Sequence, residues 1–150
     1  MDGHDVARQT QIEHEMLGHL IGGLRTTAGW RSPAPEAARK LSTLRFLAQS
    51  FQRHLERLLA LEEGDGYMGL ALAASPQLAR ATAALKAQHD HFRAEARRVV
   101  QRLDSLPAEE ALERVCADLL ALLAQIESHS EKEMALVHEA FGQDEGGGEG

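Results

Sequence analysis

One cysteine, one tryptophan, one tyrosine and four prolines are all that 150 residues contain of these types, and each scarcity removes a class of protein. Cys116 has no partner within the chain, so an internal disulfide is excluded and a reducing compartment is the default expectation. Prolines are few and runs of β-branched residues are missing, which argues against a sheet. No uninterrupted apolar run approaches the ~18 residues that a membrane span requires. The start, Met1-Asp2-Gly3-His4-Asp5, is polar and acidic. It lacks the basic segment followed by an apolar one that marks a secretory leader, so the expected location is the cytoplasm. Basic charge is short too: 16 Lys and Arg stand against 23 Asp and Glu, for a net charge of −7. No basic face is left to neutralise phosphates, so no nucleic-acid partner is expected.

What fills the chain instead is Ala, Leu, Glu, Gln and Arg, the strong helix formers. Four segments repeat apolar residues at helical spacing. The first runs from a cap at Asp5 to about Gly29, with Leu17, Leu20, Ile21 and Leu24 on one face, and is broken by Trp30-Arg31-Ser32-Pro33-Ala34-Pro35. The second, about Glu36 to Glu63, carries Leu44, Leu47, Phe51, Leu55 and Leu58 and stops at Gly64-Asp65-Gly66. Tyr67 to Ala74 reads as a short extra turn or two. Ser75-Pro76 is a start signal, with Ser75 as N-cap, for a third helix to about Leu103 bearing Leu78, Leu85, Phe92, Val99 and Leu103. After Ser105-Leu106-Pro107 the fourth, about Ala108 to Phe141, carries Leu112, Val115, Leu119, Leu123, Ile126 and Val137. Short breaks between long amphipathic helices predict an all-α, antiparallel, up-down-up-down four-helix bundle over residues 1–142. Residues 143–150, acidic and Gly-rich, read as a disordered tail.

Eight histidines are many for this length. At about 100° per residue, each polar side chain can be placed against its apolar stripe. His14, Glu62, His89, His129 and Glu133 project inward, and every helix contributes at least one. His54 falls at the edge of its face. His4, His19, His91 and His138 point to solvent. Taken singly, a core histidine is ordinarily satisfied by a hydrogen bond, and Glu62 lies one residue from a helix end where water reaches it. Taken together, two buried carboxylates from facing helices with three imidazoles alongside can satisfy one another through a metal ion. The intervals agree with a site toward one end of such a bundle: 48 residues from His14 to Glu62, 27 on to His89 and 40 on to His129. After loops of roughly eight and four residues are removed, about 20 and 18 residues per helix lie above the site. The Pro-rich break is closer to His14 than to Glu62, so that loop is expected to climb along the bundle.

The pattern resembles the hemerythrin-like, or HHE, cation-binding domain. Its carriers are Glu13-His14, then Glu62-Glu63-Gly64-Asp65-Gly66-Tyr67 closing the second helix, Leu85-Lys86-Ala87-Gln88-His89 on the third, and His129-Ser130-Glu131-Lys132-Glu133 on the fourth. The ending from Glu139 to Gly147 is similar to that of family members, and the likeness covers nearly the whole chain. It implies a non-haem di-iron centre in which Glu62 and Glu133 bridge and His14, His89 and His129 take terminal positions. An open position on iron is then expected to bind dioxygen or a related small molecule such as nitric oxide or peroxide. Two residues depart from the pattern. Leu58 stands where the second helix of such proteins offers a histidine one turn before its glutamate, and Leu85 stands one turn before His89. Five inward ligands could hold two irons, with water or extra carboxylates such as Glu13 completing the shells and the second site incomplete, or equally one metal or none. Fewer imidazoles point away from an oxygen carrier and toward a redox-, oxygen- or nitric-oxide-responsive protein. The alternative is a metal-free bundle acting through protein partners, which Leu58 and Leu85 favour. A carboxylate-rich di-iron oxidase ranks last, because no Glu-x-x-His pair faces inward. No catalytic residue is assigned. Cys116 and the methionines Met16, Met68 and Met134 read as packing, and Tyr67 as part of the turn near Glu62.

Overall fold

A computed structural model describes residues 3–30, 34–64, 72–106 and 109–146. Four long helices account for most of them: α1 (Gly3–Ala28), α2 (Ala34–Glu63), α3 (Ala79–Asp104) and α4 (Glu109–Gly146). A single turn over 72–74 and a 3₁₀ turn, Pro76–Leu78, precede α3. Among the described residues there is no strand, and no helix is long and apolar enough to cross a membrane.

The helix ends differ from the sequence reading in three places. Helix α1 already begins at Gly3, which puts Asp5 inside its first turn rather than at its cap; there a negative charge still meets the positive end of the helix. Ser75 makes no capping bond; its hydroxyl donates to the Ala140 carbonyl at 3.3 Å, tying the entry of α3 to α4. Helix α4 continues to Gly146, so residues 143–146 extend the helix where a tail was expected, and 147–150 lie outside the described residues. Tyr67 and Met68 also lie outside them, as do the side chains of His4 and Val137.

The apolar stripes pack into one main core drawn from all four helices: Leu17, Ile21 and Leu24 from α1, Leu44, Phe51, Leu55 and Leu58 from α2, Phe92, Val99 and Leu103 from α3, and Leu112 to Ile126 from α4. A second, smaller apolar cluster joins Leu78, Leu85, Leu136 and Ala140. The two clusters are separated along α3 by His89 and along α4 by His129 and Glu133, all buried. The polar residues therefore form a layer with hydrocarbon on both sides. Burial of Cys116 pushes its thiol pKa up, consistent with inert packing. Met16 and Met134 are exposed at the rim.

Contacts climb α1 as they descend α2. Ala28 meets Lys40 and Glu13 meets His54, fifteen residues on one helix against fourteen on the other. Glu62 lies eight residues beyond His54, yet its carboxylate reaches His14, the neighbour of Glu13. Eight residues are ~12 Å of helix rise. Side chains lean toward the N-terminus of their own helix, so His14 leans down and Glu62 leans up, which closes much of that gap. His14 is eleven residues into α1, three turns from its start.

At the end of the molecule away from this layer, α2 supplies cations to the ends of its neighbours. The Lys40 ammonium, almost fully buried, donates to the carbonyls of Ala28 (3.1 Å) and Trp30 (2.7 Å) and lies 3.6 Å from Glu113. Arg45 Nε donates to the Leu103 carbonyl at 2.7 Å. Both satisfy carbonyls that a helix C-terminus otherwise leaves without partners. Lys40→Met keeps the apolar stem but strands those carbonyls and Glu113. It should lower the free energy of unfolding by about 1–3 kcal/mol, read as an earlier midpoint in urea at unchanged slope.

Candidate metal centre

Five side chains meet in the polar layer. Glu62, His89, His129 and Glu133 are buried, and one donor atom from each lies within 4.8 Å of the others, a set able to hold a metal ion. His14 joins them from α1 with its Nε2 3.1 Å from Glu62 Oε1 and 3.9 Å from Glu133 Oε1; its side chain is 22% exposed, so it forms the outer wall. The structure therefore brings together all five residues that the helical phases turned inward. His19, His91 and His138 are exposed as expected. Glu13 does not reach the cluster as an auxiliary ligand: its Oε2 accepts from His54 Nδ1 at 2.8 Å, which occupies the two together.

The donors sort into two sides. Glu62 turns Oε2 toward His89 Nε2 (3.4 Å), and Glu133 turns Oε2 toward His129 Nε2 (3.1 Å). Their other oxygens, both Oε1, face His14. One side thus offers two imidazoles and two carboxylate oxygens, and the other one imidazole and two carboxylate oxygens. Leu58 and Leu85 are both buried, in the main core and in the smaller cluster respectively, and add only hydrocarbon to the walls.

Outer partners that the sequence reading did not single out fix the histidine tautomers. Glu63 Oε1 lies 3.0 Å from His89 Nδ1, and Gln88 Oε1 lies 2.7 Å from His129 Nδ1. An oxygen at Nδ1 requires Nδ1–H to donate, which leaves each Nε2 as a lone pair. Those two Nε2 atoms face each other at 3.1 Å. In a neutral pair this is a repulsive contact that a proton or a cation between them relieves. The carboxylates are in the same position: His14 Nε2, both oxygens of Glu62 and both oxygens of Glu133 are buried without a hydrogen-bond partner. Buried polar atoms left in this state are costly unless an ion completes them. Nitrogen and oxygen donors together, with no thiolate, suit iron and its neighbours among the divalent metals. The residues present fit a metal centre.

Electrostatics point the same way. Burial works against the His14 cation, but Glu133 and then Glu62 outweigh it and hold its pKa up at about 9. Burial, opposed by His14 and reinforced by the charge on Glu133, pushes Glu62 up to about 8. Glu133, buried too, is held below the usual carboxylate range by His129 and His14. Burial, with the neighbouring His129, keeps the His89 pKa low and the ring neutral, against the pull of Glu63. Two like charges in one cavity do not both ionise cheaply, so the carboxylate pair retains a proton near neutrality.

The family model for the hemerythrin HHE cation binding domain matches residues 5–141. No curated protein and no solved structure matches the chain.

The raised pKa values give the metal-free protein a definite pH dependence. Groups whose folded pKa lies above the unfolded value stabilise fully below the unfolded pKa and lose that contribution as pH rises through the folded one. For Glu62 the window is 4.5 to about 8, and for His14 it is 6.5 to about 9. Below pH 6.5 the lowered His89 pKa pulls the other way, so the melting temperature of metal-free protein should fall from pH 6.5 toward 9, and Glu62→Gln should flatten the part below about pH 8. Thermal melts followed by circular dichroism at pH 5 to 9 check both.

Proposed function

Because the chain belongs to the hemerythrin HHE cation-binding domain family, we propose that it is a non-haem iron protein that binds or senses dioxygen or a related small molecule such as nitric oxide or peroxide. The reading takes the architecture as an up-down-up-down antiparallel four-helix bundle. The opposed contacts Ala28–Lys40 and Glu13–His54, Glu63–Arg93 and Arg45–Leu103, and Arg102–Asp118 and His129–Gln88 support it. The observation that carries the function is the meeting of His89 Nε2 and His129 Nε2 at 3.1 Å, each with its proton fixed on the far nitrogen.

In this reading His89 and His129, with Glu62 and Glu133, would hold one metal, and His14, with the same two carboxylates, would hold a second. Glu62 and Glu133 would each serve both metals, because a carboxylate has two oxygens, whereas a neutral imidazole has one free nitrogen and would serve one. Iron in such a site supplies a reversible change of oxidation state and open positions for a small ligand. The protein's own part is selection and protection. Glu62 and Glu133 set the charge that the cations must balance. His14, the most exposed of the five, stands where solutes arrive. Leu17, Leu58 and Ile126 above and Leu85 below surround the donors with hydrocarbon, which keeps bulk water out and lowers the local dielectric. The three-donor side, with Leu58 where an imidazole would stand, would be the weaker holder of the two. A site so reduced suits sensing better than bulk oxygen carriage.

Protein purified from iron-supplemented cells should contain iron at more than one and at most two atoms per chain, with incomplete filling of the second. Glu133→Ala and His89→Ala should each remove most of it, and His138→Ala should leave it unchanged. If all three variants kept the wild-type content, the ligand assignment would fail. A wild type that never holds metal would instead favour the metal-free bundle that Leu58 and Leu85 suggest.

A further inference from the structure

The two buried imidazoles have outer partners of unlike charge. His129 Nδ1–H donates to the neutral amide oxygen of Gln88 (2.7 Å), while His89 Nδ1–H donates to the carboxylate of Glu63 (3.0 Å). Glu63 is the last residue of α2. Arg93, one turn beyond His89 on α3, grips it through both terminal nitrogens, Nη1 at 2.7 Å and Nη2 at 2.8 Å, and its Nη1 also meets Asp90 at 3.2 Å. The Arg93 guanidinium beside it favours the ionised form of the Glu63 carboxyl.

We propose that Glu63 and Arg93 are opposed positioning residues that set, from outside the ligand set, how strongly His89 Nε2 donates to the centre. This inference rests on the iron reading above. A carboxylate accepting from Nδ1–H draws the proton away from the ring and raises the basicity of Nε2, which favours a bound cation and its higher oxidation state. Arg93 neutralises part of that carboxylate charge and so limits the effect. Glu63 and Arg93 therefore act on the same nitrogen with opposite signs, whereas Gln88 leaves His129 as a neutral reference within the same site. The clamp also joins the end of α2 to α3 at the level of the cluster, but a brace and a charge-setting pair behave differently on substitution.

The test compares Glu63→Gln, which retains an acceptor and removes the charge, with Arg93→Gln, which leaves the charge unneutralised. Three measurements on the full chain are used: zinc affinity by competition with a chromogenic chelator, the iron midpoint potential, and the ¹⁵N shifts of His89 in metal-free protein. Glu63→Gln should weaken zinc binding about tenfold and raise the potential. Arg93→Gln should lower the potential without weakening zinc. In metal-free wild type, His89 should carry its proton on Nδ1. Opposite shifts of potential in the two variants support the proposal. Shifts in the same direction, no shift in either, or a proton on Nε2 of His89 would overturn it. A wild type that binds neither zinc nor iron would overturn the iron reading itself, and the tautomer measurement would still judge the Glu63 contact independently.

Discussion

Two carboxylates and three imidazoles share one buried layer with apolar clusters above and below, and the rest of the structure is arranged around the need to neutralise them. The oxygens of Glu62 and Glu133 have no hydrogen-bond donors, and the Nε2 atoms of His89 and His129 oppose each other. Protons alone serve poorly. They leave the carboxylates competing for one hydrogen, with Glu62 pushed up to about 8 and His14 to about 9. Metal ions held between them would satisfy the five, and the protons displaced would couple metal binding to pH. The layer is thus a place where the chain gives up apolar burial for charge that it does not itself complete.

The surrounding helices keep that arrangement in place. Hydrocarbon from Leu17, Leu58 and Ile126 on one side and Leu85 on the other leaves the polar atoms few alternative partners. At the far end, Lys40 and Arg45 close the C-termini of α1 and α3 from α2, which holds three helices in register over a long distance from the site. Near the site, the pairs His54–Glu13 and Glu63–Arg93 lock α2 to α1 and to α3. Ring packing adds to this, with Phe92 edge-on to His129 at 5.1 Å between centroids.

The centre is uneven, and the unevenness has chemical content. One side has two imidazoles and the other has one, and one imidazole is backed by a charged group while its neighbour is backed by an amide. Donor number would govern how firmly each side held a cation, and in the proposed reading the outer charge would govern how electron-rich the His89 side is. The side chains concerned are Leu58 and Leu85 within the walls and Glu63 and Arg93 outside them.

The sequence alone determined the four helices and the inward set of five. Both follow from a period of 3.6 residues, which is a local property: a side chain's angle around its own helix depends only on its distance along the chain from the apolar stripe. The same reasoning separated His19, His91 and His138 from the five. It did not reach the partners that lie across helices. That Glu13 is occupied by His54, that Glu63 and Gln88 fix the two tautomers, and that Arg93 neutralises Glu63 all depend on the relative height of neighbouring helices. That height is set by core packing and by the lean of side chains toward each helix's start, which is why Glu62 meets His14 from eight residues below His54. Ser75 was misread for the same reason: its hydroxyl answers to Ala140 on another helix rather than to its own. Angle is written in the chain; height and pairing were decided only when the four stripes packed together.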